Sequence, residues 1–278
     1  MSILLTGGTG TTGSRIASKL LERGYSIRIA SRSVPRLAGA EHVPFDWHSG
    51  QFPAELFNGI EKLYLVAPVG VLDPLPAVLP FLKNALNSGV KRVVMLGAAI
   101  VSDDGQVFGK LQLAVKQLAP EYAILRPSYF MENFLAPHHL HTIKSENKIW
   151  SAAGDGKIGF VNADDIAEVG VRALIDQEPH NTSHIVTGPE ALSYSEAASM
   201  IGHAAGTTIQ YGNMPLSQYE QAMIQGGLTK EYAGFMASLE GKIANGAEDR
   251  VTNTVEMVTG KKPVSLSEFA AAHREAWM

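Results

Sequence analysis

No cysteine occurs among the 278 residues. Disulfides, thiolate nucleophiles and cysteine-based zinc sites are therefore excluded, and a reducing interior is compatible with the chain. Charge is also sparse: 18% of residues are Asp, Glu, Lys or Arg, and the net charge is −4. Such a balance carries no nucleic-acid footprint. No apolar run reaches the length that spans a bilayer. Met1-Ser2 leads straight into an apolar strand, with no basic leader and cleavage site. The expectation is a cytoplasmic protein with neither a nucleic-acid nor a membrane partner. With 45% hydrophobic residues, the composition is that of an ordinary enzyme-like globule of one or two domains.

What is present begins at the first strand. Ile3 to Leu5 runs into Thr6-Gly7-Gly8-Thr9-Gly10-Thr11-Thr12-Gly13, and Ile16, Ala17, Leu20 and Leu21 then follow at helical spacing. Strand, glycine-rich turn and helix form the opening unit of a dinucleotide fold. Gly7 lets the chain turn off the strand. Gly10 lets backbone amides approach a pyrophosphate, and Gly13 lets the helix lie close to the sheet. Thr11 and Thr12 present amides and hydroxyls at the helix N-terminus, where the dipole favours an anion.

The second strand, from Ser26, ends in Ser31-Arg32-Ser33 with Arg36 close behind, where NAD-specific folds often place a carboxylate for the ribose diol. A guanidinium and hydroxyls suit a 2′-phosphate instead, so NADP(H) is the expected cofactor, with Ser31 and Arg32 among its ligands. Asp46, after a third strand at His42 to Phe45, either accepts from the adenine amino group or only starts a turn. A fourth strand, Lys62 to Val66, leads into Ala67-Pro68-Val69-Gly70, which should line the adenosine and diphosphate crevice. A proline-rich stretch then enters a helix with Phe81, Leu82, Ala85 and Leu86 on one face, ended by Gly89.

A fifth strand, Arg92 to Leu96, precedes Gly97-Ala98-Ala99, and a helix spans Phe108 to Leu118. A sixth strand, Tyr122 to Leu125, precedes Arg126-Pro127-Ser128-Tyr129-Phe130. Gly97, Pro127 and Phe130 join the expected cofactor contacts. Alternating strands and helices predict an α/β fold with a Rossmann-type, doubly wound parallel sheet. Beyond residue 135 the pattern changes. His138, His139 and His141 cluster without a carboxylate at ligand spacing, so a surface helix is expected rather than a metal site. Lys157 to Val161 reads as a strand, Ala163-Asp164-Asp165 as the cap of a helix from Ile166 to Ile175, and His184 to Thr187 as another strand. Helices follow at 194–205, 216–224, 231–243 and 266–277. The expected organisation is an NADP(H)-binding domain of residues 1–135 with 157–187 returning to it, and a smaller, mostly helical substrate lobe of 136–156 and 188–278.

The glycine loop, Ser31-Arg32-Ser33 and Leu125-Arg126-Pro127 resemble the NmrA-like group of atypical short-chain dehydrogenases. Within that group, Leu65-Val66-Ala67-Pro68, Phe130-Met131-Glu132-Asn133, Gly154-Asp155-Gly156-Lys157, Ala163-Asp164-Asp165-Ile166-Ala167, Gly188-Pro189-Glu190-Ala191-Leu192-Ser193-Tyr194 and Val258-Thr259-Gly260 resemble the fungal agroclavine dehydrogenase and festuclavine synthase family. The resemblance implies NADPH and reduction of an iminium-type intermediate in alkaloid assembly. Wider relatives act as NADP(H) sensors or take part in redox-assisted ring closure, and both remain alternatives.

A typical short-chain dehydrogenase carries Ser, Tyr and Lys, with Tyr four residues before Lys. Lys110 stands at the lysine position, but Gln106 precedes it by four, and Gly97-Ala98-Ala99 stands where the serine would be. A ketone accepting hydride needs a proton or an oxyanion partner. An iminium becomes a neutral amine and needs neither. On this reading Lys110 holds the nicotinamide ribose or is a surface lysine. Tyr129 and Phe130 flank the nicotinamide or the substrate, or simply pack. Glu132 offsets an iminium charge or lies at a helix N-terminus. The catalytic candidates are Lys110 and Tyr129, the substrate a bulky natural product, and a homo-oligomer is compatible.

Overall fold

The computed structural model describes residues 2–103 and 105–278, with no side chain described for Ala54. Its elements are β1 (Ser2–Thr6), α1 (Thr11–Glu22), β2 (Ser26–Ser31), β3 (Ala40–Pro44), β4 (Ile60–Leu65), α2 (Leu75–Asn87), β5 (Arg92–Leu96), α3 (Gly109–Leu118), β6 (Glu121–Pro127), α4 (Pro137–Glu146), β7 (Lys148–Ser151), α5 (Ala163–Ile175), β8 (Thr182–Val186), α6 (Tyr194–Ala205), β9 (Gln210–Asn213), α7 (Leu216–Gln225), α8 (Lys230–Ala244), α9 (Thr254–Thr259) and α10 (Leu266–Ala272). Two compact units share the chain: Met1–Arg126 with Ile166–Ile185, and Pro127–Asp165 with Val186–Met278.

The first unit carries a seven-stranded sheet in the order β3-β2-β1-β4-β5-β6-β8, except for the last residues of β6 and β8. Strands β1 to β6 pair in parallel. Parallel strands covered on both faces need continuous apolar runs. Ile3-Leu4-Leu5, Leu63-Tyr64-Leu65 and Val93-Val94-Met95 supply them, all fully buried. The expected Rossmann-type α/β architecture is thus present.

Aromatics are few, and five of them gather in this unit. The ring centroid of Phe81, on the buried face of α2, lies 5.4 Å from Phe45, 4.9 Å from Trp47, 5.2 Å from Phe52 and 5.0 Å from Phe57. Edge-on pairs at such distances add to simple area burial, and they fix the segment after β3. At the amino edge of the sheet, cations hold the end of α5. Lys62 Nζ donates to the Leu174 carbonyl (2.7 Å), and Arg92 Nη1 donates to those of Leu174 (3.2 Å) and Asp176 (2.6 Å). Positive charge at a helix C-terminus is favourable. The carboxyl edge is where nucleotides bind in such sheets.

In the second unit, β7 and β9 form a parallel pair. Ser193 and Ser265 each accept from the amide three residues on, while Glu196 and Glu268 reach back to the cap amide. These are two capping boxes with the S-x-x-E spacing. Four rings, Tyr129, Phe134, Phe160 and Tyr194, form the aromatic centre. The Trp277 indole donates to the Phe134 carbonyl (3.0 Å) and ties down the tail.

Three sequence expectations need correction. Residues 157–161 form no strand. Ile158 and Val161 make isolated bridges to Leu192 and Phe130, and the Phe160 amide turns back to the Ile158 carbonyl (3.0 Å). Between the two bridges lies Gly159, against whose face the Arg250 backbone packs: an added Cβ would lie 2.7 Å from the Arg250 carbonyl oxygen. α5 starts at Ala163, and its cap is Asn162, whose Oδ1 accepts from the Asp164 amide (2.7 Å). Asp165 instead accepts from the Val264 amide (2.8 Å). The last predicted helix ends at Ala272 and is followed by a 3-10 turn, Arg274–Ala276.

Candidate functional site

The candidate site of the first unit is the carboxyl edge of β1, β2 and β3. Gly7 leaves β1 at φ 66°, a left-handed conformation that glycine adopts without a Cβ penalty. An added Cβ on Gly13 would lie 2.2 Å from the Gly7 carbonyl oxygen. The third glycine thus seats α1 on its own turn, not on the sheet as expected. Gly10 is the extended N-cap residue of α1. Among the described residues no side chain caps this end, and no acid stands in its first turn. The first amides of the helix are left for an anion. Thr11 is exposed. Thr12 is buried and its hydroxyl pairs with the Tyr64 phenol at 2.8 Å, so of Thr12 only the amide remains for a ligand.

Cavities open in this unit among the described residues. One, of about 580 Å³, is lined by Arg32, Phe45, Asp46, Phe52 and their neighbours. Another, of about 360 Å³, is lined by Gly8, Thr9, Ser14, Ser33 and Arg36. The structure therefore puts a guanidinium into each. Arg32 is exposed and forms no ion pair among the described residues. Ser31 donates to the Ser33 carbonyl (2.7 Å) and so shapes the turn. Asp46 Oδ1 accepts from the His48 amide (3.0 Å), which is the turn-starting role, while the residue still lines the larger cavity. Ala67 and Pro68 are buried, and Val69 is 84% exposed.

At the end of β5, an added Cβ on Gly97 would lie 3.1 Å from Gln112 Nε2. Gln112 is fully buried, and both polar atoms of its amide lack a hydrogen-bond partner among the described residues. Such a group is costly to bury, and the sequence reading missed it because it sits in an otherwise apolar helical stripe. Arg126 pins the following loop, donating to the carbonyls of Ala99 (3.1 Å) and Val101 (2.7 Å). Lys110 is exposed at the start of α3, whose Leu111, Gln112 and Val115 turn inward. It has the environment of a surface lysine.

Pro127, Tyr129 and Phe130 lie in the second unit. Just before Tyr129, Ser128 donates to the buried Glu248 (2.6 Å), which in turn pairs with Arg250. Tyr129 is edge-on to Phe160 and Tyr194, both at 5.9 Å. Tyr194 stacks on Tyr211, also at 5.9 Å. Burial, and then the nearby Glu240 carboxylate, push the Tyr129 phenol up to about 12. Glu240 accepts from the Ala152 amide (3.0 Å), and burial raises its own pKa. Beside it, Met214, Met223 and Met236 pack on Ala152, Tyr219 and Ala237. Glu132, by contrast, is occupied: both its oxygens accept from the Ala163 amide at 3.0 Å, which is the helix-end role. His139 is a core residue, packed 5.5 Å from Phe134, and not a surface one. No group of three metal-binding side chains occurs among the described residues.

The NmrA-like family matches residues 110–270. Agroclavine dehydrogenase from Claviceps fusiformis is 33% identical, over 100% of this chain and 99% of its own. The chain belongs to the NmrA-like family. An uncharacterized oxidoreductase of Bacillus subtilis, YesF, is 55% identical over 99% of this chain and 96% of its own. Among solved structures, the Citrobacter triphenylmethane reductase complexed with NADP(H) superposes with a TM-score of 0.81 at 18% identity, covering 98% of this chain and 99% of that one. At that identity the likeness speaks for the fold alone. Among the described residues no helix is long and apolar enough to cross a membrane.

Proposed function

We propose that this protein is an NADPH-dependent reductase that delivers hydride to an iminium, or a similarly activated C=N or C=C bond, of a bulky and largely apolar organic molecule. The observation that carries the reading is the uncapped start of α1, set against the Gly7 turn, with Arg32 and Arg36 lining cavities in the same unit. The residues fit NADP(H). The amides of Thr11, Thr12 and Gly13 would hold the diphosphate, and Arg32, or else Arg36 with Ser33, the 2′-phosphate. Ala67, Pro68 and Gly97 border the same edge; Asp46 would meet the adenine. Bound there, NADPH supplies a hydride. The names of the relatives, a dehydrogenase and an oxidoreductase at full-length match, support the reaction class.

The acceptor chemistry follows from what the second unit offers. Tyr129 holds its proton with a pKa near 12, which makes it a poor acid at neutral pH. Glu132 is engaged by a backbone amide. An iminium carbon that receives hydride gives a neutral amine, and no proton has to move. The methionines and tyrosines of this unit suit a flat apolar body.

The test is NADPH consumption with a panel of cyclic iminium acceptors, beside a ketone of the same skeleton. Turnover of the iminium but not the ketone is expected. NADPH binding with no turnover of any acceptor would leave an NADP(H) sensor; turnover accompanied by a new ring would point to a redox-assisted cyclase.

A further inference from the structure

Glu240, on α8, is 3% exposed. It forms no ion pair with Lys, Arg or His among the described residues. A buried carboxylate without a cation is costly, and it takes either a proton or a positive partner. The groups that face it come from five other segments. The Ala152 amide donates to Oε2 (3.0 Å). The Ser151 hydroxyl, which meets the Tyr211 phenol at 3.3 Å, favours the ionised carboxylate. Tyr219 packs in one cluster with Ala152, Tyr211 meets Ser151, and Tyr194 stacks on Tyr211 and stands edge-on to Tyr129. None of these partners carries positive charge.

Aromatic faces attract cations through the ring quadrupole, and more strongly when the cation is desolvated. Four tyrosines around one buried acid therefore make a poor place for an anion and a good one for an organic cation. The wall is not sealed. Tyr129, Tyr211, Met214, Met223 and Met236 all keep part of their surface exposed, and methionine side chains repack around a guest at little cost.

We propose that Glu240 and these tyrosines form a cation-binding subsite, in which the Glu240 carboxylate is the counter-charge of a planar, positively charged acceptor. The proposal deepens the reductase reading and rests on it for the identity of the acceptor. Glu240 is a specificity residue: it selects charged over neutral molecules of the same shape. Burial raises the pKa of this carboxyl group in the free protein, and a bound cation would lower it.

The test uses full-length protein and an unreactive aromatic quaternary ammonium ion, with its uncharged carbon isostere as control, both followed by calorimetry. Wild type should bind the cation roughly tenfold or more tightly than the isostere. Its affinity for the cation should fall as the pH is lowered through the range in which Glu240 takes up a proton. In Glu240→Gln, which keeps an acceptor for the Ala152 amide, the preference and its pH dependence should vanish while NADPH affinity is unchanged. Equal affinity of wild type for cation and isostere overturns the subsite without any need for the variant. The two readings fail separately. A cation held through Glu240 with no iminium turned over upholds the subsite and sinks the reductase. Iminium turnover with the same KM in wild type and Glu240→Gln does the reverse.

Discussion

The hydroxyls of Thr12 and Tyr64 lie 2.8 Å apart, and both residues are buried. One belongs to the first turn of α1, the other lies near the carboxyl end of β4, so this bond ties the glycine-rich turn to the central strand of the sheet. Burial raises the Tyr64 pKa, with Thr12 opposing the shift, and the phenol stays neutral. Tyr64→Phe leaves the Thr12 hydroxyl without its partner and should cost about 1 kcal/mol. Urea unfolding measures it; an unchanged midpoint would show that the bond contributes nothing.

Gly13 is the tightest point of the turn. An alanine Cβ there meets the Gly7 carbonyl oxygen at 2.2 Å, so the turn must open. Gly13→Ala should lower stability by roughly 2 kcal/mol and weaken NADPH binding with it. A variant that melts like wild type would mean the turn yields without cost.

Arg32 and Arg36 line different cavities, and their substitution tells which one takes the extra phosphate. Removing a charge-assisted phosphate contact should reduce the preference for NADPH over NADH by roughly tenfold or more. The measurement is Kd for both cofactors in Arg32→Ala and Arg36→Ala. Arg32 is expected to matter more, because it directly follows Ser31, the last residue of β2. If only Arg36→Ala moves the ratio, the phosphate belongs beside Ser14 and Ser33.

His139 is held neutral in the folded protein. Burial, with the charge of His138 adding to it, lowers its pKa from 6.5 to about 3. Below pH 6.5 the unfolded chain takes up a proton that the folded chain refuses. Stability is therefore complete above that value and declines as the pH falls toward 3, by about 1.4 kcal/mol per unit from this group. His184, lowered to about 4, adds in the same sense. Unfolding free energy of His139→Phe should show a shallower slope across that window; an identical slope would mean the imidazole is not the source.

Much of the first unit was legible because parallel strands buried on both faces must be apolar throughout, as at Val93-Val94-Met95, and because the tight strand-to-helix turn demands glycine at Gly7 and Gly13. β7 and β9 were not legible. Lys148-Ile149-Trp150-Ser151 and Gln210-Tyr211-Gly212-Asn213 are short, mixed in polarity and paired only through the fold. Ile158, Phe160 and Val161 look like a strand because they are buried, yet backbone from elsewhere does the burying. Glu240 was invisible for a related reason. An acid in an amphipathic helix reads as solvated, and nothing local shows that the Ala152 amide and tyrosines from four other segments surround it. Glu132 belongs to the Phe130-Met131-Glu132-Asn133 motif and reads either as a counter-charge or as a helix N-terminal carboxylate; the Ala163 amide gives it the second role.

The central claim is hydride transfer from bound NADPH to a cationic carbon. It is tested most directly with NADPH deuterated at C4 of the nicotinamide, one equivalent of a cyclic iminium acceptor and mass spectrometry of the product. The account predicts deuterium on the former C=N carbon, matching the NADPH consumed. NADPH that binds but leaves no deuterium in any acceptor would contradict it.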